Sequence, residues 1–354
     1  MQHELGFQVR RAWLWLALTL GLVHCNLAWA APVQVRFSVL PTSVAISALQ
    51  YTVAHDLVLR DALRRRGAEL QLVVSKRKLS TIADMGAGRL DVCVLGDVSM
   101  VRDGPAENVT GVAMLGVVVS SVIGRDIAQL SQLAGKRVAF TPKTIGEQAL
   151  LRALAAAKLR ESDIKPVPMQ VAEMTAALAR GEIDAFAAWE PTPQQALKLH
   201  PEYTQILRHE SALILMLGND FMARQPELAK LLLGAFARAH RWLAVDGRNR
   251  YKAVGWALAA SGAEDNEPLS ISVDEGVGIL RSSLLDVKGL PMLSNSWVGA
   301  RGDGQRLFAF LQATGQLRPG ASWPQVQAHL NRRLMDALLV TPAVNQLDEF
   351  RYAP

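Results

Sequence analysis

Cysteine is nearly absent from this chain, and its scarcity closes several routes at once. Only Cys25 and Cys93 occur among 354 residues, so a disulfide framework or a Cys/His metal cluster has no material to draw on. Catalytic signatures are missing too. There is no His-Glu-x-x-His, no Gly-x-Ser-x-Gly and no Gly-x-x-x-x-Gly-Lys-Ser/Thr, the spacings that build a zinc site, a nucleophile elbow or a phosphate-cradling loop. His55, His200, His209, His240 and His329 are scattered and share no motif. These absences argue against an enzyme, and neither a cofactor nor a metal is expected. Aromatic residues make up 6% of the chain and do not interleave with basic ones, which speaks against the stacking surfaces that nucleic acid binding uses. The net charge of +6 is left to attract anionic solutes or a membrane surface. Basic runs such as Arg60 to Arg66 read as solvated helix faces.

One long apolar run is present, at the amino terminus. Arg10 and Arg11 precede an apolar stretch from Ala12 to Val23, and Ala28-Trp29-Ala30 has the small-x-small form. The run is shorter than the roughly 20 residues a membrane span needs, and this order of parts is that of a cleavable export signal over residues 1–30. Cleavage before Ala31 places the mature chain in the periplasm. A retained anchor is disfavoured by the length of the run. Lipidation at Cys25 is disfavoured by His24, which stands where a small residue is needed. Cys93 is then the lone mature cysteine, in the apolar segment Leu90 to Leu95, and reads as a small core residue.

Beyond the signal the pattern is α/β. Val33 to Leu40 alternates with period two and stops at Pro41, so it reads as a strand. A helix capped by Thr42 or Ser43 runs to Arg66 and ends at Gly67. Glu69 to Val74 reads as a strand, Leu79 to Ala87 as a helix and Val92 to Leu95 as a strand. The order then repeats: strand Arg137 to Thr141, helix Ile145 to Leu159, an extended segment Lys165 to Met169, helix Val171 to Arg180 and strand Ile183 to Ala188. Such alternation implies helices on both faces of a mainly parallel sheet. Gly88-Arg89-Leu90-Asp91 and Gly181-Glu182-Ile183-Asp184 occupy matching places in the two runs, and each is followed by an acid in register, Asp97 and Glu190. Two related lobes follow from this repetition.

The apolar stretches Val112 to Ile123 and Ala212 to Leu217 are expected to cross between the lobes, making a double hinge. This divides the chain into a first lobe over 31–120 and 215–345 that includes the C-terminal helices, a second lobe over 121–214, and a tail over 346–354. In the helix after Pro226, an apolar stripe from Leu228 to Leu243 leaves Arg238, His240 and Arg241 on the expected solvent side. Further helices are expected over Arg248 to Ala260, Val273 to Leu285, Gly304 to Thr314 and Trp323 to Leu339, with the tail peripheral.

In an α/β lobe, ligands gather where strands end and helices begin. Thr141-Pro142-Lys143-Thr144 leads into a helix that Thr144 caps, with Glu147 completing a capping box. Free backbone N–H groups there, with the hydroxyls of Thr141 and Thr144, suit a sulfonate, nitrate, carboxylate or phosphate, although plain capping is an alternative. Thr42 and Ser43 are the matching hydroxyls of the first lobe. Gly96-Asp97 and Trp189-Glu190 end symmetry-related strands. Trp189 offers a flat face for a ligand body or a core contact. Asp97 and Glu190 suit an amine, an inter-lobe contact or a loop brace.

With Leu133 to Ala139, Thr141 to Glu147, Leu178 to Ala185 leading to Trp189-Glu190-Pro191, and Ala239 to Trp242, the chain resembles the periplasmic solute-binding proteins of ABC importers. The group is the one serving nitrate, sulfonates such as taurine, bicarbonate and thiamine precursors, and the resemblance spans most of the chain beyond the signal. It implies a two-lobed type II periplasmic-binding-protein fold, with two mixed parallel sheets joined by a double-crossing hinge. It also implies a monomer that closes on one small solute and delivers it to a membrane permease with a cytoplasmic ATPase. By position, Ser43, Gly96-Asp97, Thr141, Thr144 and Trp189-Glu190 are the implied contacts. Ser99 stands where the family's Gly-Asp-x-Pro loop has proline, and Pro142-Lys143 replaces a Gly/Ser-rich turn, so specificity for taurine or nitrate does not transfer directly. The expected function is capture of a small anionic, sulfonate-like solute. Sensing through a separate membrane partner, or an enzyme on the same fold, are the alternatives.

Overall fold

The computed structural model describes residues 31–74, 81–261, 269–289 and 291–353; the expected export signal, including Cys25, lies outside them, as do Leu79 and Ser80 of the helix expected to start at Leu79. Gln34 onward forms one compact unit. Strand β1 (Val33–Val39) leads to helices α1 (Val44–Ala54) and α2 (Leu57–Arg64), then β2 (Ala68–Val74), α3 (Thr81–Gly86), β3 (Val92–Gly96), α4 (Asp97–Asp103) and the long β4 (Val109–Gly124). The second run is β5 (Arg137–Phe140), α5 (Ile145–Ala156), β6 (Lys165–Pro168), α6 (Val171–Ala179), β7 (Ala185–Trp189), α7 (Thr192–Leu199) and the long β8 (Thr204–Gly218).

The strands lie in the order β2-β1-β3-β8-β4-β7-β5-β6. β1 pairs parallel with β3, and β5 parallel with β6 and β7, while β8 and β4 run antiparallel to their neighbours. The two expected sheets are present as the two ends of this one sheet. They fuse because β4 and β8, of 16 and 15 residues, are long enough at about 3.3 Å per residue to serve both lobes. Sequence pattern shows only the buried half of β8, since Thr204 to Glu210 alternates with solvent and Ser211 to Gly218 is wholly buried.

Each lobe opens with the same clasp. Asp91 accepts from the backbone N–H of Arg36 at 2.8 Å and from its guanidinium at 2.7 Å. Asp184 does the same for Arg137, at 2.8 and 2.6 Å. Gly88 and Gly181, with φ of 67° and 72°, turn the preceding helix end into the clasp through a left-handed conformation that glycine adopts at little cost.

Three expectations are corrected. The first helix is two, because Asp56 accepts from the N–H groups of Val58 and Leu59 and starts α2 afresh. The C-terminal helices are α8 (Asn219–Arg224), α9 (Pro226–Val245), α10 (Gly247–Ser261), α11 (Val273–Leu280) with a π turn over Arg281–Leu285, α12 (Asn295–Val298), α13 (Asp303–Ala313), α14 (Trp323–Ala328) and α15 (Arg333–Val340). The helix expected over Trp323 to Leu339 is thus interrupted, where Gly111 of β4 exchanges backbone bonds with His329 and Asn331. On α9, Arg238 is buried rather than solvent-facing. Its Nε donates to Asp56 at 2.8 Å and its Nη1 to the Gln346 carbonyl at 3.0 Å. His240 of the same helix bonds the Leu284 carbonyl at 2.8 Å. An apolar stripe implies a wet opposite face only when nothing covers that face; here α2, the π turn and the chain end do. The end is tied down as well: the Arg351 carbonyl accepts from Leu57 N at 2.8 Å, and Tyr352 packs on Trp242 with centroids 4.3 Å apart.

Among the described residues no helix is long and apolar enough to cross a membrane, and no group of His, Cys, Asp and Glu is placed to hold a metal ion. Cys93 is fully buried in β3, and burial raises its thiol pKa.

Candidate functional site

All eight candidate residues stand at the carboxyl ends of parallel strands: Thr42 and Ser43 after β1, Gly96 and Asp97 at β3, Thr141 and Thr144 after β5, Trp189 and Glu190 at β7. The two lobes meet at these ends. The Trp189 indole donates across the junction to the Thr42 carbonyl at 3.3 Å. Gly96 lies so close to Ile145, the first residue of α5, that a Cβ would overlap the Ile145 Cγ2. Beside them, Arg102 of α4 donates to the Lys143 carbonyl at 3.1 Å. A recess between Asp91, Asn108 and Asp220 lies at the opposite ends of strands β3, β4 and β8, and none of the eight lines it.

Hydrogen bonding sorts the candidates by what they have left to offer. Thr141 Oγ1 donates to the Met169 carbonyl at 2.9 Å, and Thr144 Oγ1 donates to the Thr141 carbonyl at 2.6 Å. Their hydroxyl protons are therefore committed to backbone, although their oxygens still accept. Thr144 caps α5 by accepting from Gly146 N at 3.2 Å, while Glu147 reaches past the cap to Lys143 N at 2.7 Å. The cap thus brings a carboxylate close to the helix start. Ser43 is buried at the start of α1 and makes no side-chain cap bond. The two register-related acids hold backbone N–H groups of regular elements: Asp97 Oδ2 accepts from Ala212 N of β8 at 3.1 Å, and Glu190 accepts from Gln194 N in the first turn of α7 at 3.2 Å. Burial drives Asp97 up to about 6 against the pull of the Ala212 N–H and the Arg152 charge. Burial raises Glu190 likewise, opposed by the Gln194 N–H and by Arg208.

Sequence reasoning missed Arg152, His209, Ser120 and Gln148. Arg152 is a half-buried cation at the lobe junction whose guanidinium lies 4.3 Å from the centre of the Phe310 ring, and its Nε–H is buried with no acceptor in the protein. Burial lowers its pKa, opposed by Asp97. Gln148, one turn earlier on α5, accepts from Ser211 at 2.9 Å. An i, i+4 spacing of polar residues facing a strand rather than solvent is the signal that marks this face.

Paired α/β half-sheets whose strand ends face each other, linked by two crossing strands, make a type II periplasmic-binding-protein fold. Residues 63–246, more than half of the chain, match the family model described as NMT1/THI5 like. The chain belongs to the NMT1/THI5-like family. A relative, the putative aliphatic sulfonates-binding protein of Escherichia coli K12, is 38% identical over 71 residues, which is 20% of this chain and 22% of that protein. The alkanesulfonate-binding protein SsuA of Xanthomonas axonopodis pv. citri, solved with MOPS bound, superposes with a TM-score of 0.64 at 18% identity, covering 85% of this chain and 99% of that one. The periplasmic nitrate-binding protein NrtA of Synechocystis PCC 6803 gives a TM-score of 0.64 at 14% identity, covering 89% and 91%. At such identities the likeness speaks for the fold, and within this NMT1/THI5-like chain the solute must be argued from its own side chains.

Proposed function

We propose that this chain captures a small anionic organic solute between its lobes outside the cytoplasm and hands it to the permease of an ABC importer with its cytoplasmic ATPase. The observation that carries this reading is the meeting of strand ends from both lobes, where Trp189 reaches Thr42 and Gly96 abuts Ile145. A site assembled from two lobes exists only when they come together, so binding and closure are one event and water is shed as they meet. Thr42, Ser43, Gly96, Asp97, Thr141, Thr144, Trp189 and Glu190 are the proposed contacts. The start of α5 supplies backbone N–H groups, and Arg152 supplies positive charge with an uncommitted donor. A sulfonate-like solute suits the Arg152 charge and its free donor, and what the similar proteins bind points the same way. The N-terminal pattern of residues 1–30 supports export with cleavage near Ala30-Ala31 and action in the periplasm, and we propose that the carrier acts as a monomer.

The test is thermal and calorimetric screening of refolded, solute-stripped protein against sulfonates, carboxylates, nitrate and pyrimidines. A true solute at a hundred times its Kd stabilises the fold by about 2.7 kcal/mol, which is readily seen as a rise in Tm. Clean refolding with no shift from any of these solutes would overturn the reading.

A further inference from the structure

One side chain of the first lobe grips the turn of the second lobe that carries Thr141 and Thr144. Arg102 stands in the last turn of α4, and its side chain is only 8% exposed. Asp103 aims it: Nε and Nη2 of Arg102 donate to Asp103 Oδ2 at 2.9 and 2.7 Å. The same Nη2 donates across the lobe junction to the Lys143 carbonyl at 3.1 Å. Asp103 is steadied in turn from the C-terminal segment, where Arg318 lies 3.7 Å from its Oδ1 and donates to Glu107 at 3.0 Å.

Lys143 is a residue that needs holding. Its φ is 62°, in the left-handed region that a residue with a Cβ enters at a cost and glycine enters freely. Pro142 before it completes the order of a tight turn whose second central position ordinarily takes glycine or asparagine. Both backbone groups of Lys143 are taken. Its N–H donates to Glu147 within the second lobe at 2.7 Å, and its carbonyl accepts from Arg102 of the first. Thr141 and Thr144 flank this turn and are joined by the bond from Thr144 Oγ1 to the Thr141 carbonyl at 2.6 Å, so the conformation of Lys143 sets where both hydroxyl oxygens lie. The hold from Glu147 lies within one lobe and persists however the lobes stand. The hold from Arg102 exists only when they meet. Arg102 is also within electrostatic reach of Glu147, whose pKa burial raises and the Lys143 N–H and then Arg102 lower.

We propose that Arg102 is a positioning residue for the binding site: as the lobes close it takes the Lys143 carbonyl and fixes the left-handed turn that presents Thr141 and Thr144 to the solute. It acts on the shape of the site through Lys143, so its contribution is the same whatever anion is bound. The inference rests on the reading of the chain as a two-lobed binder of small anions and adds to it a residue outside the eight proposed contacts.

The test is calorimetry on the full, solute-stripped chain with ethanesulfonate, acetate and nitrate. Arg102→Met keeps an apolar stem without the guanidinium, and it is expected to weaken every probe that binds the wild type about tenfold, by factors that agree within about twofold. Arg102→Lys keeps the charge but lacks the planar fork that serves Asp103 and Lys143 together, and is expected to lose about fivefold or more. In a Lys143→Gly background the left-handed turn needs no outside hold, so adding Arg102→Met there should cost about threefold or less. The lysine charge is absent from both chains of that comparison. Circular dichroism checks the fold of each variant, and if Arg102→Met is unfolded, Arg102→Lys carries the same comparisons. Unchanged affinity in Arg102→Met, full affinity in Arg102→Lys, or an equal loss with and without Lys143 overturns the inference and leaves the binding reading standing. A loss that differs among sulfonate, carboxylate and nitrate overturns it too, because it makes Arg102 a solute contact. If no probe binds the wild-type chain, the binding reading falls and the positioning role with it.

Discussion

The two lobes carry the same clasp at different depths, and the difference separates geometry from energetics. Asp91 and Asp184 make matching bonds to the N–H and guanidinium of Arg36 and Arg137. The Asp91 side chain is 5% exposed, however, and that of Asp184 is 23% exposed. A charge-assisted bond shielded from water is worth more than the same bond wetted, and losing one partner of a buried pair strands the other. The repeat therefore fixes the turn from helix to strand in both lobes while giving the first lobe the firmer hold. At the opposite strand ends the contrast recurs. Asp97 is buried and reaches across to β8, whereas Glu190 braces the start of its own helix α7.

Removing the deeper clasp is expected to have the largest effect. Asp91→Ala should lower unfolding free energy by about 3–4 kcal/mol, read by chemical denaturation; a loss no greater than that of Asp184→Ala would erase the distinction between the lobes. Next comes Asp97→Asn. The folded pKa of Asp97 stands at about 6, above its ordinary 3.8, so the native state holds the proton more tightly than the unfolded one. The stability this lends is full below about pH 4 and is lost as pH rises through 6. Asparagine does not titrate, so the variant should gain on the wild type by about 2–3 kcal/mol between pH 4 and pH 8. A constant difference across that range would show that burial does not control this acid.

The shallower clasp comes third. Asp184 is held down to about 2, first by its bond to the Arg137 side chain. Its contribution is present above the ordinary value near 4 and is lost as pH falls through about 2. Asp184→Ala should cost about 1–2 kcal/mol at pH 7, allowing for its partial exposure to screening solvent, and almost nothing at pH 2. Smallest in stability is Gly96→Ala, where the added methyl meets Ile145 across the junction. It should shift Tm little but weaken binding of any solute found in the screen about tenfold, near 1.4 kcal/mol, with a larger radius of gyration by small-angle scattering. Unchanged affinity and radius would mean that the lobes need not approach at Gly96.

Much of the architecture could be read from residues alone. Period-two strands, the paired Gly-x-aliphatic-Asp turns and the apolar crossing segments all act locally, so their signals lie within a few positions. The eight candidate residues could be listed because strand ends are predictable in an α/β repeat. What escaped is what depends on distant partners. Arg238 looks solvent-facing until Asp56 and Gln346 arrive over it, and Arg152 looks like a mid-helix surface cation until Phe310, Asp97 and His209 surround it. Likewise, the hydroxyls of Thr141 and Thr144 are easily placed at a helix start. Their protons turn out to be committed to carbonyls that only the folded backbone brings near.

The strand order also sets a timetable for synthesis. In the first half-sheet, β8 lies between β3 and β4, so the lobe that emerges first from the ribosome stays open along its middle until Gly218 has been made. The second half-sheet runs β4-β7-β5-β6 without a break, lacking β8 only at its edge. The lobe translated later can therefore be the first to finish its pairing, leaving β3 of the earlier one with an unpaired edge for the longest time. Such an edge is where a nascent chain is most exposed to wrong partners, and it is the segment that a holding chaperone has most reason to cover.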